Sequence, residues 1–458
     1  MNDSLETRVR AAVEAHAEEA YALLEQLVAI DSTSPDFPGL DRAAVLGGEG
    51  RCTALLGRRY GELGLRCETV APDPERPNLV AVLEGAGGGR SLILNGHVDT
   101  VPPVRRETWA MADPWTPERR DGMLFGLGAT DMKGGVTAAW LAVRALREAG
   151  VTLAGDLLVQ CVVGEEQMQH TLGTSAVLEA GFDGRRAARD GAAAEVGAIV
   201  LEPSSAPRPL SLSTTSAGNW VFRVTVKGRA THAGNRASAI RPGGEGAALG
   251  VNAVEKGLLL VRSLLELEQE WGQTRSHPAF PPGFFAINPG SFHADAGTAS
   301  ASYLADRAVF DVLVWYPPDA DAEAVRDELE RHLQLASQLD PWLRANPPEI
   351  EWLGNWPAAT TAWEAPHVQA LAQAHERVTG DAVAAPSAAN QSGFQAVTDA
   401  SFLEAAGIPA VVYGPGDLRR AHAADEHIAL AEIATCAAAV ALAAIDFCGV
   451  ASDVEETR

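Results

Sequence analysis

Cysteine is scarce in this chain, and the few cysteines are not paired in sequence. Five of them are scattered over 458 residues without any Cys-x-x-Cys spacing. An odd, dispersed set argues against a disulfide framework and against a zinc ribbon, and it is typical of a reducing compartment. The first six residues are acidic or polar around one leucine and form no apolar core, so we expect no secretory signal. These features predict a cytoplasmic protein.

Basic charge and long apolar runs are also lacking. Lys and Arg number 36 against 60 Asp and Glu, which gives a formal net charge of −24. Such a surface repels phosphate backbones and anionic lipids, so we expect neither nucleic acid nor a membrane as a partner. No stretch approaches the roughly 18 unbroken apolar residues of a membrane-spanning helix.

Aromatic residues make up only 6% of the chain, although apolar residues as a whole reach 47%. The cores must therefore be packed mainly by Ala, Val and Leu. A chain of 458 residues exceeds what one hydrophobic core usually organises, so we expect two domains.

The periodicity of the apolar residues changes along the chain and suggests where the domains divide. In the first part, short apolar strands such as 91–95 and 157–163 alternate with helices, which predicts a layered α/β domain with a parallel or mixed central sheet. Beyond residue 213 the pattern becomes α+β, with a long amphipathic helix over 247–271 and a strand over 284–288. We therefore predict a catalytic domain in two parts, separated by an inserted α+β domain. The predicted ranges are 1–213, 214–352 and 353–458.

Five short segments concentrate imidazoles and carboxylates. Three of them, which contain His97, Glu165-Glu166 and Glu202, directly follow apolar strands, where ligands gather in α/β domains. The others contain Asp131, in a glycine-rich turn, and His422. Together they supply ligands for two adjacent metal ions and a spare base, which indicates a metallohydrolase.

The spacing within these segments suggests separate roles. His97 and Asp99 are two positions apart in an extended segment and point the same way, so Asp99 is predicted to accept a hydrogen bond from the His97 nitrogen that does not bind metal. The glycines around Asp131 let its carboxylate bridge two cations about 3.5–4 Å apart. Adjacent Glu165 and Glu166 do not easily bind one ion, so Glu166 is assigned to metal and Glu165 to the base. Mixed imidazole and carboxylate ligation suits two Zn²⁺ ions, with Co²⁺ or Mn²⁺ as substitutes.

In this order, the segments resemble the co-catalytic zinc aminoacylase and exopeptidase family, which includes acetylornithine deacetylase and succinyl-diaminopimelate desuccinylase. The resemblance extends from about Leu23 to Leu430. Its specific blocks are Leu94–Pro102, Gly128–Gly135, Glu165-Glu166, Glu202-Pro203 and Gly414-Pro415-Gly416 leading to His422.

The resemblance also implies how the ligands are divided. Asp131 would bridge the two ions. His97 and Glu202 would hold one ion, and Glu166 and His422 the other. Glu165 would act as general base and then as general acid.

A further block, Gly228–Gly234, matches the place where relatives carry a histidine on an inserted lid domain. The resemblance implies that His232 reaches the active site of a partner subunit and stabilises the oxyanion. It follows that residues 214–352 would form a lid and dimerisation domain, and that the protein would be a homodimer. Asn288, Arg236 and Arg241 are weaker candidates for substrate contact.

The chain departs from related desuccinylases where they use arginine to bind a substrate carboxylate. Leu313 and Ser401 stand at two such positions, and Leu127 replaces an arginine of many relatives. A bidentate guanidinium is hard to replace. Either another arginine, such as Arg236 or Arg241, binds the carboxylate, or the substrate lacks one.

We predict a metal-dependent hydrolase that cleaves an amide bond of an N-acylated amino acid or a related small-molecule substrate with a water activated by two metal ions. A metallo-dipeptidase or carboxypeptidase is the alternative within the same class. A catalytically silent binding homodimer of the same fold is the alternative from another class. The presence of every ligand and of Glu165 argues against that last reading.

Overall fold

The structure is a computed structural model that describes residues 3–111, 113–185, 195–204 and 209–451. The chain divides into two units. The first combines Met1–Ser216 with Ala359–Arg458, and the second is Ala217–Ala358. The predicted boundaries lie three and six residues earlier along the chain than these two junctions.

The helices and strands are numbered here in chain order. The helices are α1 (Asp3–Val28), α2 (Arg42–Val45), α3 (Gly48–Glu62), α4 (Gly134–Glu148), α5 (Thr174–Glu179), α6 (Arg236–Ile240), α7 (Ala253–Thr274), α8 (Ala322–Gln338), α9 (Pro341–Ala345), α10 (Pro366–Thr379), α11 (Ala400–Ala405) and α12 (Leu430–Cys448). The strands are β1 (Arg66–Val70), β2 (Asn78–Leu83), β3 (Ser91–His97), β4 (Glu118–Arg120), β5 (Met123–Phe125), β6 (Leu157–Val162), β7 (Val196–Val200), β8 (Thr215–Ser216), β9 (Gly218–Lys227), β10 (Thr231–His232), β11 (Ile287–Asp295), β12 (Tyr303–Leu304), β13 (Arg307–Tyr316), β14 (Glu349–Trp356), β15 (Ala359–Thr360), β16 (Ala410–Val412) and β17 (His427–Ala429).

The central sheet of the first unit has the strand order β1-β2-β6-β3-β7-β16. β3 is parallel to both of its neighbours, β6 and β7, and β16 is parallel to β7, whereas β1 and β2 run antiparallel to their neighbours. The carboxyl ends of β3, β6 and β7 therefore meet at one edge of the sheet. This mixed sheet confirms the predicted layered α/β class.

Helices cover both faces of this sheet. Leu92 and Leu94 of β3 face a core formed with α1, α4, α10 and α12, whereas Ile93 faces a second core formed with α5 and α11. Successive strand side chains point to opposite faces, so a strand buried on both sides is apolar at nearly every position. This burial explains why the strands appear in the sequence as continuous apolar runs.

Helix α12 is long and apolar enough to cross a membrane by length and composition. Most of it is buried within the first unit, however, where Ala437 and Ala441 lie in the same core as residues of α4 and α10. Small side chains let helices pack closely, in keeping with a chain that has few aromatic residues. α12 is thus a core helix of this unit.

The second unit contains the antiparallel sheet β11-β13-β9-β14, with α7 and α8 packed on one face. The helix predicted from residue 247 begins instead at Ala253, where the Asn252 side chain accepts a hydrogen bond of 3.1 Å from the Val254 amide. The strand predicted over 284–288 starts later, at Ile287, because Phe284 and Phe285 pack in an aromatic cluster with Phe280.

Candidate metal centre

Three neighbouring parallel strands bring the first group of predicted ligands together. His97 is the last residue of β3, Glu165 and Glu166 follow β6, and Glu202 follows β7. The register pairs His97 with Val162 of β6, so the three strands end at nearly the same level. The sheet therefore places an imidazole and three carboxylates at one edge.

Asp131 reaches the same edge from the turn that leads into α4. The backbone at Asp131 is not helical, with φ −121° and ψ 97°, and the Asp131–Met132 peptide is cis. The turn lies very close to the residue that follows β7, because a Cβ added to Gly135 would lie 2.0 Å from the Leu201 carbonyl oxygen. Only glycine allows this approach, which brings Asp131 beside Glu202.

The carboxylate of Asp131 faces one histidine with each oxygen. Its Oδ1 lies 3.3 Å from His97 Nε2, and its Oδ2 lies 3.5 Å from His422 Nε2. This is the arrangement expected of a carboxylate that bridges two ions.

The remaining carboxylates divide between the two histidines. Glu202 and Glu165 approach His97 Nε2 at 3.6 and 3.8 Å, and Glu166 approaches His422 Nε2 at 3.1 Å. Two overlapping sets of side chains could each hold a metal ion, His97 with Asp131 and Glu166, and His97 with Glu165 and Glu202. We call His97, Glu165 and Glu202 the buried end of the centre, and Glu166 and His422 the open end.

The His97 ring shows that the cluster suits a cation. Its Nδ1 lies 3.0 Å from the main-chain oxygen of Asp99 and donates to it, so the neutral ring has its lone pair on Nε2. His97 Nε2 is buried and has no hydrogen-bond partner among the described residues, yet it points at carboxylate oxygens. A lone pair that faces several anionic oxygens is an arrangement that a metal ion fits.

The electrostatics of the cluster agree with this reading. Burial lowers the pKa of His97, but Glu202, Asp131 and Glu165 raise it well above its ordinary value. Burial raises the pKa of Glu202 well above its ordinary value, and the charge of Asp131 adds to that shift. The site therefore carries an excess of negative charge that a pair of divalent cations would neutralise.

Asp99 acts differently from the prediction. Its carboxylate Oδ1 lies 3.6 Å from His97 Nδ1, beyond hydrogen-bond distance, because the Asp99 main-chain oxygen takes that place. Its Oδ2 instead accepts a hydrogen bond of 3.2 Å from the Glu166 amide. Asp99 thus supports both ends of the centre, through its backbone at His97 and through its side chain at Glu166.

His422 is held by a loop rather than by the sheet. Its side chain is 53% exposed, and its φ of 55° is left-handed. Two acidic residues that follow His422 in the chain fix the loop. Asp425 accepts a hydrogen bond of 2.8 Å from the Ala110 amide, and buried Glu426 accepts hydrogen bonds from the amides of Thr130 (2.8 Å) and Asp131 (3.0 Å).

Glu426 contacts the Asp131 turn, and the sequence analysis did not identify it. It lies only four positions after His422, but its partner Asp131 is 295 positions away, so no local pattern shows the contact. Through the two amides, its carboxylate fixes the turn that carries Asp131.

The predicted residues of the inserted domain all lie in the second unit. His232 is exposed on β10, and its Nδ1 accepts a hydrogen bond of 3.1 Å from the Gly234 amide. Asn288 and Arg241 are exposed, and Arg236 pairs with Glu255. All four residues belong to the second unit, whereas the predicted metal ligands belong to the first.

The positions that lack the expected arginines are not equivalent. Ser401 is buried in α11, and Leu127 is buried beside Trp109 and Met111. Leu313 is half-buried on β13. None of these three positions supplies a guanidinium.

Comparison with known proteins shows the family to which the chain is similar. Residues 93–446 match Peptidase family M20/M25/M40. The N-formyl-4-amino-5-aminomethyl-2-methylpyrimidine deformylase of Halalkalibacterium halodurans is 33% identical over 434 residues, which cover 92% of each chain. The succinyl-diaminopimelate desuccinylase of Methylibium petroleiphilum is 28% identical and covers 90% of this chain and 94% of its own.

Solved structures show the same fold. Human carnosine dipeptidase 1 superposes with a TM-score of 0.73 at 17% identity, covering 97% of this chain and 99% of its own. A dinuclear metal-binding peptidase of the M20 family from Bacillus subtilis gives a TM-score of 0.58 at 14% identity, with 95% and 99% coverage.

Proposed function

We propose that this chain, which belongs to peptidase family M20/M25/M40, is a deacylase that removes a small acyl group from a nitrogen atom. Members of the family cleave amide bonds, and the two relatives above are named for removing a formyl and a succinyl group. The observation that carries the proposal is the buried cluster in which the Asp131 carboxylate faces both His97 and His422.

We propose that the cluster holds two divalent ions, with zinc preferred and cobalt or manganese as substitutes. Asp131 would bridge them, His97 and Glu202 would hold the ion at the buried end, and Glu166 and His422 the ion at the open end. When bound, the ions polarise the scissile carbonyl and lower the pKa of the attacking water.

Glu165 is the base in this proposal. Its carboxylate would take a proton from the attacking water and later deliver it to the leaving nitrogen. Burial raises the pKa of Glu165 well above its ordinary value, although His97 opposes that shift. A raised pKa suits a group that must both accept and return a proton near neutral pH.

The acyl group that we favour is formyl. The deformylase is more similar to this chain than the desuccinylase is, at 33% against 28% identity. Leu313 and Ser401 also leave the chain without arginines where, by the family resemblance, desuccinylases bind a carboxylate. Both points favour an N-formyl amine without a free carboxylate over an N-succinyl amino acid.

We also propose a cytoplasmic homodimer in which His232 of a second copy donates a hydrogen bond to the oxyanion. The proposal rests on the family resemblance around His232, and the hydrogen bonding of the ring supports it. Because Nδ1 accepts from Gly234, the proton of the neutral ring lies on Nε2, which is then free to donate. The five cysteines are free thiols, in keeping with a reducing compartment.

A substrate panel tests the function. N-formyl, N-acetyl, N-succinyl and N-carbamoyl amines and amino acids, with several dipeptides, are compared by kcat/KM alongside metal analysis of the purified protein. We expect about two ions per chain and the highest kcat/KM for an N-formyl amine. A higher kcat/KM for dipeptides would show that the protein is a dipeptidase and not a deacylase. Full activity in a protein without metal would contradict the mechanism.

A further inference from the structure

A buried arginine outside the five ligand-bearing segments uses all of its hydrogen-bond donors next to the loop that carries Glu165. Arg76 is fully buried. Its Nε and one terminal nitrogen donate to the two oxygens of Glu49, each at 2.7 Å. The same terminal nitrogen donates to Ser34 Oγ at 3.1 Å, and the other donates to Asp36 at 3.0 Å and to Gln169. All five N–H groups of the guanidinium therefore have a partner.

Gln169 connects this arginine to the catalytic loop. The main-chain N–H of Gln169 donates to the Gly164 carbonyl at 2.8 Å. This bond closes the loop 164–169, from which Glu165 and Glu166 project. Within it, the Met168 amide donates to the Glu165 carbonyl at 3.0 Å. The Gln169 side chain accepts from Arg76 and donates to Asp36 at 2.9 Å. The side chain of Gln169 therefore fixes the C-terminal end of loop 164–169.

The same guanidinium also supports the segment that follows His97. Ser34, which accepts from Arg76, donates its amide to the Thr100 carbonyl at 2.9 Å. The Thr100 amide donates to the Ser32 carbonyl at 3.1 Å, and Ser32 Oγ donates to the Val98 carbonyl at 2.7 Å. Arg76 therefore joins the two segments that carry His97 and Glu165.

The residue type follows from this arrangement. A buried guanidinium persists only if it is paired and fully hydrogen-bonded, and Glu49, which is also buried, supplies the charge. Lysine has three donors and no planar fork, so it cannot serve five acceptors in two directions. The cost of burying this pair suggests that its role is geometric.

We infer that Arg76, acting through Gln169, is a positioning residue that holds loop 164–169 so that the Glu165 carboxylate faces the attacking water. This inference rests on the proposed function, because it takes Glu165 as the base. Arg76 and Gln169 do not touch the reacting atoms in this account.

The test uses Gln169→Ala, which removes the side-chain link between Arg76 and loop 164–169. The Arg76–Glu49 pair stays in place. The matched control is Gln167→Ala, which changes the same residue type in the same loop but not a member of this network. The substrate is N-formylbenzylamine, or the fastest substrate of the panel above if that is cleaved poorly. kcat, KM, metal content and Tm are measured for both variants.

We expect Gln169→Ala to lower kcat by about 10- to 100-fold, as loss of a supporting hydrogen bond does in metal sites, with KM and metal content close to wild type and a lower Tm, because Arg76 loses one acceptor. Gln167→Ala should match wild type. In a Glu165→Gln background, Gln169→Ala should cause no further loss, because its effect passes through the missing carboxylate. Arg76→Lys should reproduce the fall in kcat wherever it folds.

The outcomes separate this inference from the function on which it rests. A slow Glu165→Gln enzyme with a fully active Gln169→Ala enzyme would overturn the positioning role alone. So would equal losses in Gln169→Ala and Gln167→Ala, or a further large loss when Gln169→Ala is added to Glu165→Gln. A fully active Glu165→Gln enzyme would overturn both the assigned base and its positioning.

Discussion

The buried end and the open end of the metal centre are supported by different parts of the fold. At the buried end, His97 is 1% exposed and stands at the end of a strand in the middle of the sheet. At the open end, His422 is 53% exposed and lies on a loop with a left-handed backbone at His422 itself. Asp131 lies between them and faces both.

The difference separates two tasks that a two-metal hydrolase must combine. In the proposed centre, the sheet would fix the ligands of one ion and the base with little freedom, because the strand register sets their relative positions. The loop would leave one side of the second ion accessible, as a site that must admit a substrate requires. Changes at the buried end should therefore affect both stability and chemistry, whereas changes at the open end should affect chemistry and metal retention.

The largest effect should come from the base at the buried end. Glu165→Gln keeps the size of the side chain but removes its ability to take a proton. We expect kcat to fall by about 10²- to 10⁴-fold, the usual contribution of a general base, with metal content unchanged. Steady-state kinetics and metal analysis of the same preparation measure both. Near-normal turnover would show that another group is the base.

The second prediction compares one histidine from each end. His97→Ala and His422→Ala should each lose one ion, but they should differ in the metal-free state. Removing His97 leaves buried carboxylates without a partner and should lower the free energy of unfolding by about 3 kcal/mol. Removing His422, whose side chain is 53% exposed, admits water to the carboxylates of Glu166 and Asp131, so it should lower the free energy of unfolding by less, about 1 kcal/mol. Urea denaturation in the presence of a chelator measures both, and equal losses would contradict the distinction between the ends.

The third prediction concerns Glu426, which supports the turn that carries Asp131 between the two ends. Glu426→Ala removes the acceptor of the Thr130 and Asp131 amides, so the bridging carboxylate should lose its fixed direction. We expect metal affinity to fall by about 10- to 100-fold, as is typical when a supporting residue of a metal site is removed.

Competition with a chelator of known affinity measures this change. Glu404→Ala is the matched control, because Glu404 also accepts a backbone hydrogen bond, from Thr360, but does not contact a ligand. Equal metal affinity in the two variants would show that Glu426 does not position Asp131.

The smallest effects are expected on the free energy of unfolding. They compare substitutions of two cationic residues, Lys133 near the buried end and Arg419 near the open end. Lys133 is buried and donates to the Leu27 and Ile30 carbonyls at 2.9 and 3.0 Å, at the end of α1. Lys133→Met should reduce the free energy of unfolding by about 1–3 kcal/mol, because two buried carbonyls lose their donor. Arg419 is exposed and pairs with nearby Asp417, so Arg419→Ala should change the free energy of unfolding by about 0.5 kcal/mol or less. Thermal or urea denaturation would contradict the comparison if the two changes were similar.

Much of the fold class and the convergence of the ligands can be predicted from sequence because both depend on local patterns. Strands buried on both faces are apolar at nearly every position, and a polar residue just after such a strand lies at the edge of the sheet. His97, Glu165 and Glu202 all follow this rule. The glycines around Asp131 likewise mark a turn that must approach other backbone closely.

The supporting contacts cannot be found in this way because they join distant parts of the chain. Arg76 and Gln169 are 93 positions apart, and neither lies in a motif with a periodic pattern. The role of Asp99 differs from the prediction for a similar reason. Strand geometry indicates that His97 and Asp99 point the same way, but not that the Asp99 main-chain oxygen lies closer to the ring than its carboxylate does. Element ends such as the start of α7 depend on caps, here the side chain of Asn252.

We propose above that two metal ions, one at each end, share the Asp131 carboxylate. A crystal structure of the zinc-loaded enzyme, with anomalous difference maps collected at the zinc edge, tests it most directly. We expect two peaks about 3.5–4 Å apart, with an oxygen of Asp131 on each, His97 on one and His422 on the other. A single peak, or two peaks with both histidines on the same ion, would contradict it.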